Sequence, residues 1–199
     1  MKIDLPDDFA ARAPLKQLIL DRRNADRGVI RSNINGWHST DDMLDWGGAH
    51  ARSIINIAGS MAATMVKTHQ NAHPGKADWR CTMWANVSGR GAANHFHAHN
   101  GWLVSGVYYV DDGYDGANDP ALGGKIVFRD PRYPMAYMHR DGVNFSDPGG
   151  RLVQPSYGIR PKTNMMLLFP AWIDHGVDSY FGAGQRISIA FNMDVAATG

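Results

Sequence analysis

Three histidines alternate with other residues in one short segment of the chain, at positions 95, 97 and 99. In a β-strand, side chains two positions apart point to the same face, so His97 and His99 can reach one point in space. Neutral imidazole is the commonest metal ligand in proteins, and unpaired histidines would be costly to bury. The spacing therefore predicts that His97 and His99 bind a metal ion, with His95 able to replace either of them or to face a substrate.

The third ligand must come from another part of the chain. His175 is the other histidine in a strand-like run, because apolar residues surround it between positions 169 and 177. We therefore predict a catalytic metal site made of His97, His99 and His175. Five other histidines are expected to be structural: His38, His50, His69, His73 and His139.

An arginine and a serine follow His175 at a spacing that could bring them to the same cavity. Residues 182–184 predict a hairpin turn, and a turn that pairs residues whose numbers sum to an odd value would put even-numbered residues beside His175. That face carries Arg186, Ser188, Ala190 and Asn192. A guanidinium can hold a carboxylate with two hydrogen bonds, and a hydroxyl adds another donor. The pattern predicts a carboxylate site beside the metal, unless Arg186 lies on the surface of a terminal strand.

Apolar spacing predicts the elements that position these residues. Two helical patterns come first, a weak one over residues 9–19 that Pro14 interrupts, and a regular stripe over residues 51–66. Residues 33–39, between them, predict a turn-rich connection. Runs rich in β-branched and aromatic residues then predict strands at 79–87, 95–99, 103–110, 125–128, 165–169, 173–177 and 186–193. We expect a mainly β fold, an antiparallel barrel or sandwich with the helices on one face.

Composition narrows the classes of function. All 19 acidic residues are Asp and Glu is absent, which excludes His-Glu-x-x-His metalloproteases and EF-hands. The single Cys81 excludes a disulfide framework and a multi-thiolate zinc site. The net charge is +1 with no basic stripe, so no nucleic-acid partner is expected. The sequence has no signal-like or membrane-spanning apolar run, and the default expectation is a cytoplasmic protein of one domain.

Several of these segments occur together, and in this order, in one known family. They are residues 35–39 (Asn-Gly-Trp-His-Ser), His97-x-His99, residues 105–110 (Ser-Gly-Val-Tyr-Tyr-Val), residues 123–128 (Gly-Gly-Lys-Ile-Val-Phe), His175 and Arg186-Ile187-Ser188. The combination resembles the Fe(II)- and 2-oxoglutarate-dependent dioxygenases, in their prolyl-4-hydroxylase-like branch. It is most similar to the bacterial and phage family of 2OG-Fe(II) oxygenases, over residues 33–193.

The resemblance implies a double-stranded β-helix, a jelly-roll or cupin-like barrel, that uses Fe(II), 2-oxoglutarate and O₂. It divides the chain into an N-terminal helical support at residues 1–72 and a β-barrel core at residues 76–195. The family's metal histidines match His97 and His175. Its contacts to 2-oxoglutarate match the following residues: Arg186, Ser188 and Tyr109 at the distal carboxylate, and Asn86 or Trp84 elsewhere in the pocket. The implied activity is hydroxylation of an unidentified small molecule or peptide.

One position departs from the wider superfamily, which has an Asp where this chain has His99. Asp174 would point to the opposite face of its strand, and residues 111–112 are remote from the site in sequence. Three neutral ligands leave Fe(II) its full charge until 2-oxoglutarate binds, and they also suit Zn, Cu or Ni. Two other functions therefore stay open. One is a three-histidine dioxygenase that needs no 2-oxoglutarate, and the other is a non-catalytic module that binds a metal or a small anion.

Two long connections, residues 111–124 and 134–162, are expected to form the rim of the cavity and to contact the substrate. The candidates for that contact in and beside them are Tyr114, Arg132, Tyr133, Tyr137 and Arg140. Further candidates are Trp37, His38 and Trp102. The pattern of residues predicts neither the identity of the substrate nor the oligomeric state.

Overall fold

The fold is known from a computed structural model that describes residues 1–67, 79–131, 146, 148–152 and 154–195. The elements, in chain order, are β1 (Lys2–Asp4), α1 (Arg12–Ala25), β2 (Asn33–His38), α2 (Met43–Trp46), α3 (Gly48–Met65), β3 (Trp79–His97), β4 (Val104–Asp111), β5 (Ile126–Arg129), β6 (Ser156–Ile159), β7 (Met165–Pro170), β8 (His175–Val177) and β9 (Arg186–Val195). A 3-10 turn at Pro120–Leu122 precedes β5. The fold is mainly β, as predicted.

The strands form one antiparallel sheet in the order β1-β7-β4-β9-β3-β8-β5-β6, and β2 pairs with β3 outside this order. The 19-residue strand β3 links the part of the sheet that contains β9 to the part that contains β8. Its first half pairs with β9 over Trp79–Ser88, and its last residues pair with β8. Because one long strand serves both parts, the sheet curls around a cavity rather than remaining flat.

Alternation along the strands separates a core from this cavity. In β9, the odd-numbered Ile187, Ile189, Phe191 and Met193 are buried in the main hydrophobic cluster, together with residues of α1 and α3. The even-numbered residues from Arg186 to Asn192 line the cavity. Successive side chains of a strand point to opposite faces, so one strand supplies both the apolar core and the polar site.

The helices cover the apolar face of the sheet, as predicted. Helix α3 buries Ala51, Ile54, Ala58, Met61 and Ala62, which belong to the stripe expected from the sequence. Helix α1 differs from the prediction, because Pro14 lies in its first turn and does not interrupt it. A proline is tolerated there, since the first turn has no intrahelical acceptors for its N–H groups. No helix in the described ranges is long and apolar enough to cross a membrane.

Three short strands were missed in the sequence. Residues 33–38 form β2 rather than a turn-rich connection, while β1 pairs with β7 and β6 pairs with β5. Each is held by partners distant in sequence, which a local pattern does not reveal. Strands predicted separately at 79–87 and 95–99 are joined in β3, which ends at His97. In the predicted connection at 134–162, residues 134–145, 147 and 153 lie outside the described residues and residues 156–159 form β6. The predicted division at 1–72 and 76–195 stays a prediction.

The predicted hairpin between β8 and β9 is wrong. Strand β8 pairs with β3 and β5, and β3 lies between β8 and β9. Strand β3 offers β9 a register of ten consecutive residue pairs, whereas β8 is only three residues long. The longer ladder therefore prevails over closeness in sequence. The even-numbered residues of β9 still face the cavity, because alternation along β9 does not depend on which strand is its neighbour.

Candidate functional site

Three imidazole rings meet at one end of the cavity. His97, at the end of β3, pairs directly with His175, at the start of β8, and their ring centroids lie 4.6 Å apart. His99 follows β3, and its backbone N–H donates to the Ala171 carbonyl at 2.9 Å. One nitrogen from each of the three rings lies within 4.8 Å of the other two. This spacing suits three ligands of one metal ion.

Backbone carbonyls orient two of the rings. His97 Nδ1 lies 2.8 Å from the His95 carbonyl, and His175 Nδ1 lies 2.9 Å from the Ile173 carbonyl. A carbonyl oxygen only accepts, so Nδ1 of each ring must carry the proton and donate it. The unprotonated Nε2 atoms are then available to a metal ion, an arrangement that is common among metal-binding histidines.

Burial keeps His99 and His175 in their neutral form. It lowers the pKa of His99 to about 3, and the neighbouring imidazoles act in the same direction. It lowers the pKa of His175 to about 4, although the hydrogen bond to Ile173 opposes the change. Only a neutral imidazole has a lone pair for a metal ion. Both rings are therefore neutral at neutral pH, as metal binding requires.

The cavity wall is a ladder of side chains across β3, β9 and β4. Each rung is set by the strand register, which pairs Ser88 with Arg186, Asn86 with Ser188 and Tyr109, Trp84 with Ala190 and Val107, and Thr82 with Asn192 and Ser105. The first, second and fourth of these rungs contain polar side chains, and the third contains Trp84, Ala190 and Val107. The central strand β9 therefore carries an arginine, a serine and an asparagine on the same face.

Arg186 is a buried cation without an anionic partner among the described residues. Its side chain is 3% exposed, with one NH group donating to the Gly124 carbonyl at 2.8 Å and the other contacting Ser88 Oγ at 3.4 Å. Its buried Nε has no hydrogen-bond partner in the part of the chain that the structure describes. The ionisable groups that act on its charge are three tyrosines, with no carboxylate among them. An unpaired buried charge is costly, so this guanidinium fits a bound anion.

Two hydroxyl groups are close to this cation in the ladder. Ser188 lies one rung away and is 7% exposed. Tyr109 is 2% exposed, and burial raises its pKa to about 12 despite the opposing charge of Arg186. The Tyr109 phenol is therefore protonated at neutral pH and can donate to an acceptor. Together the three side chains form a donor set that suits a carboxylate.

Imidazoles and donors share one cavity of about 470 Å³. Its lining includes His97, His99, His175, Asn86, Tyr109, Arg186 and Ser188. Val107, Ile126 and Phe169 supply an apolar wall, with the Phe169 ring 4.7 Å from the His175 ring. The volume is within the range of small-ligand sites. The cavity can hold a metal ion and a small carboxylic acid at once.

No Asp among the described residues lies where it could take the place of His99 as a metal ligand. Asp174 points away and pairs with Arg129 at 3.1 Å, and Asp111 pairs with Lys16 at 2.6 Å. Asp112 accepts from the backbone N–H of Thr163. In the described ranges, the histidine group is the one cluster with metal-ligand spacing, and it contains no carboxylate. The departure at His99 is therefore not compensated by an Asp from elsewhere in the described chain.

Other candidates from the sequence divide into two groups. His38, Trp84 and Trp102 line the cavity, and the His38 ring stacks on Trp84. His95 is exposed and does not line the cavity, because an irregular register between Asn94 and His97 breaks the alternation that would have placed it beside His97.

Among the remaining candidates for the substrate rim, Trp37 packs against the main core and donates from its indole to the Asp26 carbonyl. Tyr114 is buried and donates to the Gly123 carbonyl. Arg132, Tyr133, Tyr137 and Arg140 lie outside the described residues. Sequence reasoning missed Ser88 and Gly124, which hold the guanidinium of Arg186; only the register of β3 against β9 reveals the serine.

A family profile described as "Putative 2OG-Fe(II) oxygenase" matches residues 82–192, more than half of the chain. The match includes the three histidines and the ladder of side chains. The chain belongs to this family. It is therefore an oxidoreductase, an oxygenase that uses Fe(II), 2-oxoglutarate and O₂. No curated protein matches its sequence.

Solved structures with the same fold include two prolyl hydroxylases. One is from Trichoplax adhaerens, in complex with a hypoxia inducible factor oxygen degradation domain peptide fragment, with a TM-score of 0.64 and 14% identity over 98% of this chain and 83% of that one. A Pseudomonas putida prolyl-4-hydroxylase has a TM-score of 0.59 and 14% identity over 98% and 92%. HygX from Streptomyces hygroscopicus, with nickel and 2-oxoglutarate bound, has a TM-score of 0.62 and 12% identity over 98% and 82%. The predicted double-stranded β-helix is confirmed.

Proposed function

We propose that this oxygenase binds Fe(II) through His97, His99 and His175 and hydroxylates a small molecule or a peptide. In the same proposal, 2-oxoglutarate is held at its distal carboxylate by three donors, Arg186, Ser188 and Tyr109. Asn86, beside Ser188 in the ladder, completes the cofactor pocket. The observation that carries the assignment is the buried Arg186 guanidinium, which has no carboxylate partner among the described residues and shares its cavity with three convergent imidazoles.

The cavity supports this assignment because its imidazole end and its Arg186 end differ in chemistry. Three neutral nitrogen ligands leave a divalent ion its full positive charge, and Arg186 adds a second positive charge in the same cavity. A dianion with a carboxylate at each end can therefore be attracted at both ends in surroundings of low dielectric constant. When bound, Fe(II) and 2-oxoglutarate supply oxidation of a C–H bond by O₂, with release of succinate and CO₂.

The chain's own residues would bind and orient the reactants. Carbonyl oxygens fix the rings of His97 and His175, and the Gly124 carbonyl with Ser88 fixes the guanidinium of Arg186. Val107, Ile126 and Phe169 form the apolar wall that limits water in the cavity. The substrate would enter past Trp84, Trp102 and His38, which line the cavity outside the donor set.

An anaerobic titration tests the proposal. Metal-free protein receives Fe(II) and then 2-oxoglutarate, and the visible spectrum is searched for the charge-transfer band of a chelated keto acid. We expect the band to appear after both additions, and we expect succinate once O₂ is admitted. Iron binding without a band would instead favour the three-histidine dioxygenase that needs no 2-oxoglutarate. A band without succinate would favour a binding module, and a protein that binds no divalent ion would contradict the assignment of the histidines.

A further inference from the structure

His99 differs from the other two imidazoles in what holds its ring. Its Nδ1 faces a side chain, Asn192 Nδ2, at 3.4 Å, instead of a backbone carbonyl. The Asn192 amide is itself held from behind, because Ser105 Oγ donates to Asn192 Oδ1 at 2.7 Å. Both polar residues are buried, Ser105 at 1% and Asn192 at 6% exposure. The register places Ser105 and Asn192 side by side on β4 and β9.

The direction of the amide decides which nitrogen of His99 carries the proton. In the orientation above, the amide N–H donates to Nδ1, so the single proton of a neutral imidazole must lie on Nε2. That Nε2 has no lone pair for a metal ion. A half-turn of the amide would put Oδ1 toward Nδ1, which then carries the proton, while Nε2 becomes free. The Ser105 hydroxyl suits both orientations, because it can donate to Oδ1 or accept from Nδ2.

We propose that Asn192 is a positioning residue that sets the tautomer of His99. With its nitrogen toward Nδ1 the amide keeps the proton on Nε2, and with its oxygen toward Nδ1 it opens Nε2 to the ion, so metal binding requires the second orientation. The imidazole gains and loses no net proton, since one proton leaves Nε2 and one is taken up at Nδ1 through solvent. This inference rests on the metal site proposed above.

Asn192 is the described residue that is placed to orient the His99 ring. In the described part of the chain, His99 Nδ1 has no hydrogen-bond partner other than Asn192. The carbonyls that fix the other two rings act in one direction only, whereas an amide can either donate or accept. Removing a partner that orients a metal-binding histidine typically costs about 10–100-fold in metal affinity.

Two substitutions of similar size separate this role from simple packing. Asn192→Asp leaves an acceptor, which can hold Nδ1–H and keep Nε2 open. Asn192→Leu leaves no acceptor. We expect the Asp variant to bind Zn(II) at least as tightly as wild type, and the Leu variant to bind it about 10–100-fold more weakly. Ser105→Ala should give a smaller loss, because the amide keeps His99 as a partner but is no longer held from behind.

Zn(II) affinity is measured by competition with a chromophoric chelator, without 2-oxoglutarate. Asn56→Leu is the matched control, because it makes the same substitution at an exposed asparagine of α3 that does not line the cavity; its affinity should stay within about twofold of wild type. Ring ¹⁵N shifts of labelled histidine report the tautomer directly. We expect His99 to be protonated on Nε2 in metal-free wild type, and on Nδ1 in metal-free Asn192→Asp and in Zn(II)-bound wild type.

Several results would overturn the inference. Equal Zn(II) affinity in wild type and Asn192→Leu, or equal losses in Asn192→Asp and Asn192→Leu, would show that the amide does not select the tautomer. If Asn192→Leu does not fold, the ¹⁵N comparison between wild type and Asn192→Asp decides, and an unchanged tautomer contradicts the proposal. A wild-type protein that binds neither Zn(II) nor Fe(II) would instead refute the metal site itself.

Discussion

Individual side chains of this site are held in fixed orientations by hydrogen bonds to their neighbours. The guanidinium of Arg186 keeps two fixed contacts, to Gly124 and Ser88, and a buried Nε without a partner among the described residues. The rings of His97 and His175 are fixed in the same way by backbone carbonyls. Side chains that are already oriented lose less conformational entropy when a ligand binds. The site therefore suits small ligands that must be held in one geometry.

Replacing Arg186 should separate cofactor binding from metal binding. We expect Arg186→Leu to weaken 2-oxoglutarate binding by at least about 100-fold, because hydrogen bonds to charged groups contribute about 1.5–3 kcal/mol each and the guanidinium offers more than one. Fe(II) affinity should stay close to wild type, since Arg186 is not a metal ligand. The charge-transfer titration measures both quantities.

Arg27→Leu is a suitable control for that experiment, because Arg27 is exposed and does not line the cavity. Unchanged 2-oxoglutarate affinity in Arg186→Leu would remove the arginine from the proposed cofactor site.

At the scale of elements, the contact between β4 and β9 depends on a glycine. Gly106 pairs with Phe191, whose ring is fully buried and lies where a Cβ atom on Gly106 would be. That Cβ would also lie 2.9 Å from the Leu167 carbonyl on β7. The glycine in the Ser-Gly-Val-Tyr-Tyr segment therefore has a packing role: it lets β4 lie against the aromatic core while Tyr109 reaches the cavity.

A methyl group at this glycine should destabilise the protein. We expect Gly106→Ala to lower the free energy of unfolding by about 1–3 kcal/mol, because it overpacks the core and crowds a backbone oxygen that cannot move aside. Gly89→Ala on β3 meets open space and should change stability by less than about 0.5 kcal/mol. Chemical denaturation of both variants measures the difference. Equal stability of the two would mean that β4 and β9 have more room than the packing indicates.

At the scale of the whole molecule, two histidines of the proposed metal site influence the stability of the fold. His99 and His175 are neutral in the folded state, with pKa values of about 3 and about 4. In the unfolded chain they titrate near 6.5. Between these values the unfolded state binds more protons than the folded state, so the free energy of unfolding falls as pH falls. The metal-free protein should therefore be less stable in weak acid than at neutral pH.

We expect the metal-free protein to lose about 2–4 kcal/mol of stability between pH 7 and pH 5 from these two residues. Urea unfolding at both pH values measures the loss. The double variant His99→Gln, His175→Gln keeps all the carboxylates and should lose clearly less over the same range. The same loss in both proteins would attribute the pH dependence to other groups.

Metal binding should stabilise the folded chain, because the three imidazoles converge only there. A ligand that binds only the folded state contributes about 2.7 kcal/mol when its concentration is 100-fold above Kd. For a chain of this size each kcal/mol corresponds to about 2–4 °C in Tm. We expect Fe(II) under anaerobic conditions to raise Tm by several degrees and a chelator to reverse the change. An unchanged Tm in the presence of saturating Fe(II) would contradict binding by the folded state.

Much of the fold and of the residues at the site could be predicted from short-range patterns. The even-numbered polar residues of β9 follow from the two-residue period of a strand, which is a local property of the backbone. The same period correctly brought His97 and His99 together, although β3 ends at His97 and the bond from the His99 N–H to Ala171 holds the second histidine. The stripe of α3 follows from the helical period in the same way. The order of the family's segments along the chain indicated the double-stranded β-helix, which was confirmed.

Pairings between distant segments were decided only by the tertiary structure. They placed β3 between β8 and β9, turned His95 outward, and brought Ser105 and Asn192 behind His99. Local periodicity says which face a residue occupies, but strand neighbours depend on which ladders and buried surfaces outweigh the entropy of closing long loops. The sequence by itself thus determined which residues of a strand such as β9 share a face, and the tertiary structure decided which face lines the cavity and what each residue touches there.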